Sequence, residues 1–440
     1  MRRVAIIGAA GRDFHVFNMF FRNNPEYRVI AFLMTQIPIP SRRYPPELAG
    51  AAYPEGVPIY TWSDYGELAE LVKKLRIDEA VLAYSDLLYD DVGHIMSAVV
   101  GAGASFRVLG PNDTYLNSIK PVIAVLATRT GAGKSTISRA IVRELISRNI
   151  KVAVVRHPMP YRDLVASAVE IYRTRSDLAR ITFEEREEYE QYVDMGVPVL
   201  AGVDYGRVLA KAEEMGDVIL WDGGNNDFPF FRPDFVVVVT DARRPGHEVS
   251  SFPGEANVRM ADVVVISKVG DSDSEKIRAI EGNIRSLNPR ATIVKADFRV
   301  SVDRGELLRG KRALVVEDAP TVTHGGLPYG AGYVAAIKYG ATVVDPRPYA
   351  VGALKEVYSR YPHIGPVLPS LGYTEEQKRD LEETIRRVDS DVVVMGTPAK
   401  IEEVVNIPRP VVRVRWSPEI VEGLSIAAIV DIFLRRVKLA

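Results

Sequence analysis

The sequence predicts an α/β protein built on parallel sheets, and three observations carry that prediction. Short β-branched runs alternate with longer amphipathic stretches along the 440 residues. Some runs, "FVVVVT" among them, are apolar almost throughout, as a strand covered by helices on both faces requires. One apolar run also passes through a glycine-punctuated turn straight into a helical pattern, "VIAVLATRTGAGKSTI", residues 122–137. Composition sets the bounds. Hydrophobic residues make up 47% of the chain, enough for sizeable cores. The formal net charge of −1 gives no basic excess for nucleic acid, and no basic run marks a membrane surface. With no cysteine, disulfides, thiol catalysis and Cys-ligated metals are excluded together. Three glutamines (Gln36, Gln191, Gln377) beside 26% charged residues fit a thermophile. The opening "MRRVAIIGAAGRD" reads as a first strand rather than a signal peptide, and the late apolar stretch "GLSIAAIVDIFL" is broken by Asp431. A soluble, cytoplasmic protein is expected.

The elements follow in order. Strands at 4–8, 28–34, 80–84 and 106–109 alternate with helices at 13–23, 63–75 and 89–101, which predicts a Rossmann-like doubly wound domain over 1–119. "GPNDTYLNSIKP" carries turn residues and reads as the junction. A second series has strands at 122–127, 152–156, 197–201, 218–222, 235–240, 263–267 and 292–296, with helices at 134–148, 183–195 and 274–287. This predicts a P-loop NTPase parallel-sheet domain over 120–315. After the glycine-rich "THGGLPYGAGYVAA", β/α alternation resumes as a C-terminal α/β region over 316–440, ending in an expected helix at 418–436.

A strand that runs into a glycine turn and then a helix makes a phosphate cradle. Gly131 and Gly133 let the backbone approach an anion, and the N–H groups of Thr130, Gly131, Ala132, Gly133, Lys134, Ser135 and Thr136 would point inward. Lys134 would reach the β- and γ-phosphates, and the Ser135 hydroxyl would hold Mg²⁺. The loop departs from G-x-x-x-x-G-K-[ST] at its first position, where Thr128 stands, and its form T-x-T-G-x-G-K-S resembles the loops of dethiobiotin-synthetase-like NTPases. The metal carboxylate is expected from "VILWDGGNNDFPFF", whose apolar run ends at Asp222; Asn225, Asn226 and Asp227 follow in a turn-forming stretch. Where related GTPases read guanine with N-K-x-D, this chain has Ser267, Lys268, Val269 and Gly270, with Asp271 one position late. ATP is therefore expected over GTP, with Lys268 along the nucleotide.

Basic residues sit at two other predicted strand ends: Arg156, His157 and Arg162 in "VVRHPMPYRD", and Arg243, Arg244 and His247 in "TDARRPGHE". Parallel sheets bind ligands at their C-terminal edges, so these residues are candidates for an anionic acceptor, with Arg156 and His157 catalytic. In "IIGAAGRDFH" the second strand ends without an acidic residue to hold a ribose, so NAD is not expected; Gly8, Gly11 and Arg12, with His15 nearby, are candidates to hold a small anion instead.

Taken together, "AIIGAAGRDFHVFN", "TRTGAGKST", "VVRHPMPY", "WDGGNNDFPF", "DARRPGHE" and "HGGLPYGAGYVAA" make the chain resemble the archaeal cyclic 2,3-diphosphoglycerate synthetase family over essentially its whole length. That resemblance implies an ATP-dependent ligase that closes 2,3-bisphosphoglycerate into an intramolecular phosphoanhydride, releasing ADP and phosphate. It also implies Mg²⁺, stimulation by K⁺, and a homodimer. Two other readings stay open: a small-molecule kinase with another anionic substrate, and a GTPase-like nucleotide switch.

Overall fold

The computed structural model describes residues 1–8, 11–35, 43–157, 159, 162–224, 227–323, 325–372 and 374–439. The chain packs as two compact units. One contains Met1–Ile171, Val197–Lys295 and Glu422–Ala440; the other contains Tyr172–Gly196 and Ala296–Val421. The segment holding the expected helix at 183–195 thus packs with the later part of the chain, and the last helix packs with the earlier part.

The first unit has two sheets. The N-terminal one runs in the order Arg43–Tyr44, Val57–Thr61, Tyr27–Met34, Arg2–Gly8, Glu79–Leu82, Ser105–Val108, parallel except for its first pair. Arg2–Gly8 lies between Tyr27–Met34 and Glu79–Leu82, and the strand order runs outward from it in both directions, so Gly8 ends at the topological switch point. The expected helix at 13–23 is an α-turn, Arg12–Val16, running into a π-helical turn, Phe17–Phe21. Phe14, Phe17 and Phe21 are buried against Phe32 and Tyr44.

The second sheet of this unit runs Val199–Ala201, Val152–Arg156, Val218–Asp222, Val122–Ala127, Phe235–Asp241, Val263–Ser267 and the start of Thr292–Val302, all parallel. Its strands are buried along their length, as their unbroken apolar runs require. Arg156, Asp222, Asp241 and Ser267 end four of these strands, so all lie along one C-terminal edge, with the glycine loop between Asp222 and Asp241. Ser251–Phe252 pairs antiparallel with Leu87–Leu88, linking this half to the N-terminal one.

The second unit has a parallel sheet in the order Val411–Glu422, Val392–Met395, Arg312–Glu317, Thr342–Val343, with Leu368–Pro369 also on Arg312–Glu317. The helix Phe183–Asp194 contributes Phe183 to its core beside Leu314, Leu381 and Met395.

The helix expected over 418–436 is instead the end of a strand, Val411–Glu422, followed by Ile426–Arg436. Alternating residues in "VVRVRWSPEIVE" favour an extended chain, and Ser425 caps the helix through the Ala428 N–H. That helix packs along Lys134–Ser147. Arg148 pairs with Asp431 and donates to the Ala427 carbonyl at 3.2 Å, and Arg436 meets Asp262 at 2.8 Å.

Candidate functional site

The loop forms where the glycines permit it. Gly131 has φ 80° and Gly133 φ 105°, a region open to glycine at little cost, and the helix Lys134–Ser147 starts directly after. Thr128, which replaces the first glycine, is buried and hydrogen-bonded to the Thr240 hydroxyl at 3.1 Å, so it ties the loop to the next strand.

Asp222 is wholly buried at the end of its strand and holds two cations. Its Oδ1 accepts from Lys134 Nζ at 2.6 Å and from Ser138 Oγ at 2.9 Å; its Oδ2 lies 2.5 Å from Arg156 Nη1. The structure thus brings three predicted residues, Lys134, Asp222 and Arg156, into one ionic cluster. Ser135 is half-buried at the start of the helix. One hydroxyl and one carboxylate beside a phosphate cradle suit Mg²⁺, which takes its remaining ligands from phosphates and water. No group of three His, Asp or Glu side chains among the described residues forms a stand-alone metal site.

On the far side of Arg156, His157 Nδ1 lies 2.5 Å from Asp227 Oδ2, and Asp227 is also wholly buried. The N-terminal sheet closes this corner. A Cβ on Gly11 would lie 2.1 Å from His157 Cε1, so the imidazole packs on the bare α-carbon. Arg12 stacks on Phe228 at 4.8 Å, and His15 stacks on Phe230 at 4.0 Å with the rings 3° apart. Burial lowers Arg12 to about 10, opposed by Asp227; burial and then Arg12 lower His15 to about 3. Gly8 faces a carboxylate. Its open side is filled by Asp13, whose Cβ, Cγ and Oδ2 would each lie 2.5 Å from a Gly8 Cβ. Asn225 and Asn226 lie outside the described residues.

The structure does not bring Arg243, Arg244 and His247 to Arg156 and His157. Strand order puts them on the other side of the loop, around Asp241. Asp241 meets Lys268 Nζ at 2.7 Å and Arg243 Nη2 at 3.0 Å, and Arg244 Nη2 donates to the Thr130 carbonyl at 2.8 Å. Lys268, in a left-handed conformation with φ 58°, also donates to the Gly131 carbonyl at 2.5 Å. Burial would raise Asp241, but Lys268, Arg243 and Arg244 hold it well below the usual carboxylate range. Burial brings Lys268 down to about 8 despite Asp241, and burial, then Arg244 and Arg129, bring His247 down to about 4. These groups brace the loop. Arg162 stands apart, paired with Glu170 at 2.6 Å. Asp271 is exposed on a 3₁₀ turn, Val269–Asp271.

Two participants escape the sequence pattern. Asp241 is the last residue of an apolar strand, a signal like that of Asp222. Asp86, after the strand Glu79–Leu82, accepts from Arg129 Nε at 2.9 Å and from the Thr130 N–H at 3.2 Å, so the N-terminal half props the loop. Nothing local marks Asp86, because its partners lie 43 and 44 residues away.

Parallel sheet, glycine loop, buried lysine and strand-end carboxylate define a nucleotide-binding P-loop protein. The family model described as "Cyclic 2,3-diphosphoglycerate synthetase, P-loop domain" matches residues 194–296, which include Asp222, Asp227, Asp241 and Lys268. The chain is 52% identical to arginine synthetase ArcE of Thermococcus kodakarensis over 95% of its own length and 94% of that protein. It is 28% identical to cyclic 2,3-diphosphoglycerate synthetase of Thermococcus gammatolerans over 56% of its own length and 62% of that protein. The crystal structure of LpxK from Aquifex aeolicus in complex with ATP matches 73% of this chain and 90% of that one, at 11% identity and a TM-score of 0.41. The chain belongs to the cyclic 2,3-diphosphoglycerate synthetase family of P-loop synthetases. The whole-length likeness expected with cyclic 2,3-diphosphoglycerate synthetases covers 56% of the chain in the Thermococcus gammatolerans relative; 95% is covered by a relative named for a different product. Among the described residues, no helix is long and apolar enough to cross a membrane.

Proposed function

We propose that this chain is an ATP-dependent synthetase that phosphorylates an acceptor oxygen and lets a second nucleophile displace the phosphate, with arginine as the product. The name of the 52%-identical relative supports the product. The observation in the site that carries the reading is the charge balance on the acceptor side. Asp222 is paired with Lys134 and Arg156, and Asp227 lies against His157, so two buried carboxylates already compensate cations on this side. A bisphosphate with about −1.5 to −2 on each phosphoryl group would face both carboxylates at a cost. A zwitterionic amino acid with a ureido end would not.

Arginine differs from its ureido analogue, citrulline, by a nitrogen in place of the ureido oxygen. In the first step that oxygen would attack the γ-phosphorus of ATP, and ADP would leave. Ammonia would then attack the ureido carbon, the carbon–oxygen bond to the phosphate would break, and inorganic phosphate would leave. Lys134 and the loop N–H groups would hold the γ-phosphate, and Asp222 would fix Arg156 beside it. Ser135 and Asp222 would hold Mg²⁺, which supplies charge neutralisation on the phosphates. His157, oriented by Asp227, would take the proton released by the incoming nitrogen.

The second reading is ring closure of 2,3-bisphosphoglycerate, with K⁺ stimulation; the family model over 194–296 favours it. It shares the first half of the mechanism, transfer of the γ-phosphoryl group to a substrate oxygen. One assay separates the two. With ATP and Mg²⁺, the arginine reading expects phosphate release that needs both citrulline and ammonium, with arginine formed one for one. Turnover that needs 2,3-bisphosphoglycerate instead, with anhydride signals in the phosphorus NMR spectrum, would replace it by ring closure.

A further inference from the structure

The corner formed by Arg12, Asp227 and Phe228 contains two opposite charges with unused bonding capacity. Arg12 is 6% exposed and Asp227 is wholly buried. Among the described residues, Arg12 Nη1 and Asp227 Oδ1 have no hydrogen-bond partner, while Asp227 Oδ2 lies against His157 Nδ1. Arg12 Nη2 makes a long contact, 3.4 Å, to the Thr114 hydroxyl. The two groups feel each other, since Asp227 opposes the fall that burial imposes on Arg12. Leaving a buried guanidinium nitrogen and a buried carboxylate oxygen unsatisfied costs free energy that an apolar pair would not. A ligand carrying both complementary charges would recover it.

We propose that Arg12 and Asp227 form an α-amino-acid subsite, with Arg12 taking the α-carboxylate and Asp227 the α-ammonium of a free amino acid. This rests on the arginine-forming reading and adds to it the end of the substrate that the chemistry leaves untouched. The Phe228 ring, stacked on Arg12, gives the subsite an apolar wall. His157 and Arg156 lie between this corner and the loop, so an amino acid held here by its α-carbon end would extend its side chain past them towards the loop. A single cation would serve any anion. The pairing of a cation with an anion 215 residues away in sequence, each with an unfilled position among the described residues, is what singles out a zwitterion.

The test is binding of three probes to the full chain, in the presence of ADP and Mg²⁺, by titration calorimetry. L-Arginine carries both groups, agmatine lacks the α-carboxylate, and Nα-acetyl-L-arginine lacks the α-ammonium. Wild-type protein is expected to bind L-arginine at least tenfold more tightly than either analogue. Arg12→Met should erase the preference over agmatine and keep that over the acetyl compound; Asp227→Asn should do the reverse. Should a variant not fold, the wild-type ranking decides alone. If L-arginine binds but both analogues bind within threefold of it, the subsite is wrong and the arginine reading stands. If none of the three binds, the arginine reading falls and the subsite with it.

Discussion

Lys134 and Asp222 show how one residue's role depends on what else holds its partner. Lys134→Ala removes a cation aimed at developing charge on the γ-phosphate, and loss of one such contact costs about 10²–10³ in rate. The fold should survive, because Arg156 at 2.5 Å and Ser138 at 2.9 Å still compensate the buried Asp222. Turnover of the folded variant, with its circular dichroism spectrum unchanged, checks both halves. Gly11 makes a sharper case. In Gly11→Ala the new methyl meets His157 at 2.1 Å, so the imidazole must leave its place beside Asp227. The acceptor-dependent rate should fall by up to about 10²-fold, as misplacement by an ångström can cost, while ATP affinity stays within twofold. Equal losses in both would mean that His157 serves the nucleotide.

The elements at the sheet edge divide the site between them. Val152–Arg156 and Val218–Asp222 end on one side of the loop, and Phe235–Asp241 and Val263–Ser267 end on the other. Lys268, just past its strand, links Asp241 to the Gly131 carbonyl, and this link sets a pH limit on nucleotide binding. With Lys268 brought down to about 8, the protonated form that pairs with Asp241 is present below that pH and is lost above it. ATP affinity should therefore weaken as pH rises from 7 to 9. Lys268→Arg, which keeps its charge, should flatten the profile even if its absolute affinity differs. A wild-type profile flat to pH 9 would remove Lys268 from the loop's support. The "SKVG" turn and the exposed Asp271 carry the expected preference for ATP over GTP, which competition between the nucleotides measures.

At the scale of the whole molecule, a buried histidine, His15, and a half-buried one, His247, are expected to tie stability to pH. His15 lies near 3 and His247 near 4 in the folded chain, against about 6.5 unfolded. Between those values the unfolded chain binds more protons, so folding stability rises with pH there and is lost as pH falls from about 6.5 towards 4. The thermal midpoint should drop between pH 7 and pH 5. His15→Phe keeps the stack on Phe230 and cannot take a proton, so it should flatten that slope, at the cost of about 1 kcal/mol at pH 7 for the lost bond to the Thr114 carbonyl. An unchanged slope would put the acid sensitivity in other groups.

Local pattern was enough for most strands of both series, though it passed over Val57–Thr61, and for the glycine loop with Lys134 and Asp222 at a strand end. Periodicity and positive φ are properties of a few neighbouring residues, so they are legible in the chain itself. Pattern misread 418–422 as helix, because a run that alternates and a helix face share many apolar positions over a few residues. It also grouped Arg243 and Arg244 with Arg156, since each follows an apolar run and nothing local states the order of strands. Only the tertiary structure decided that the loop separates them, that Asp241 neutralises one set and Asp222 the other, and that Asp86, Gly11 and Arg12 reach the site from the first sheet. The pairings Asp241–Lys268, Asp86–Arg129, Asp222–Lys134, Gly11–His157 and Arg12–Asp227 join residues 27 to 215 apart in sequence, where the contact is set by strand order and by how the two halves of the unit pack, and no short window of sequence contains either.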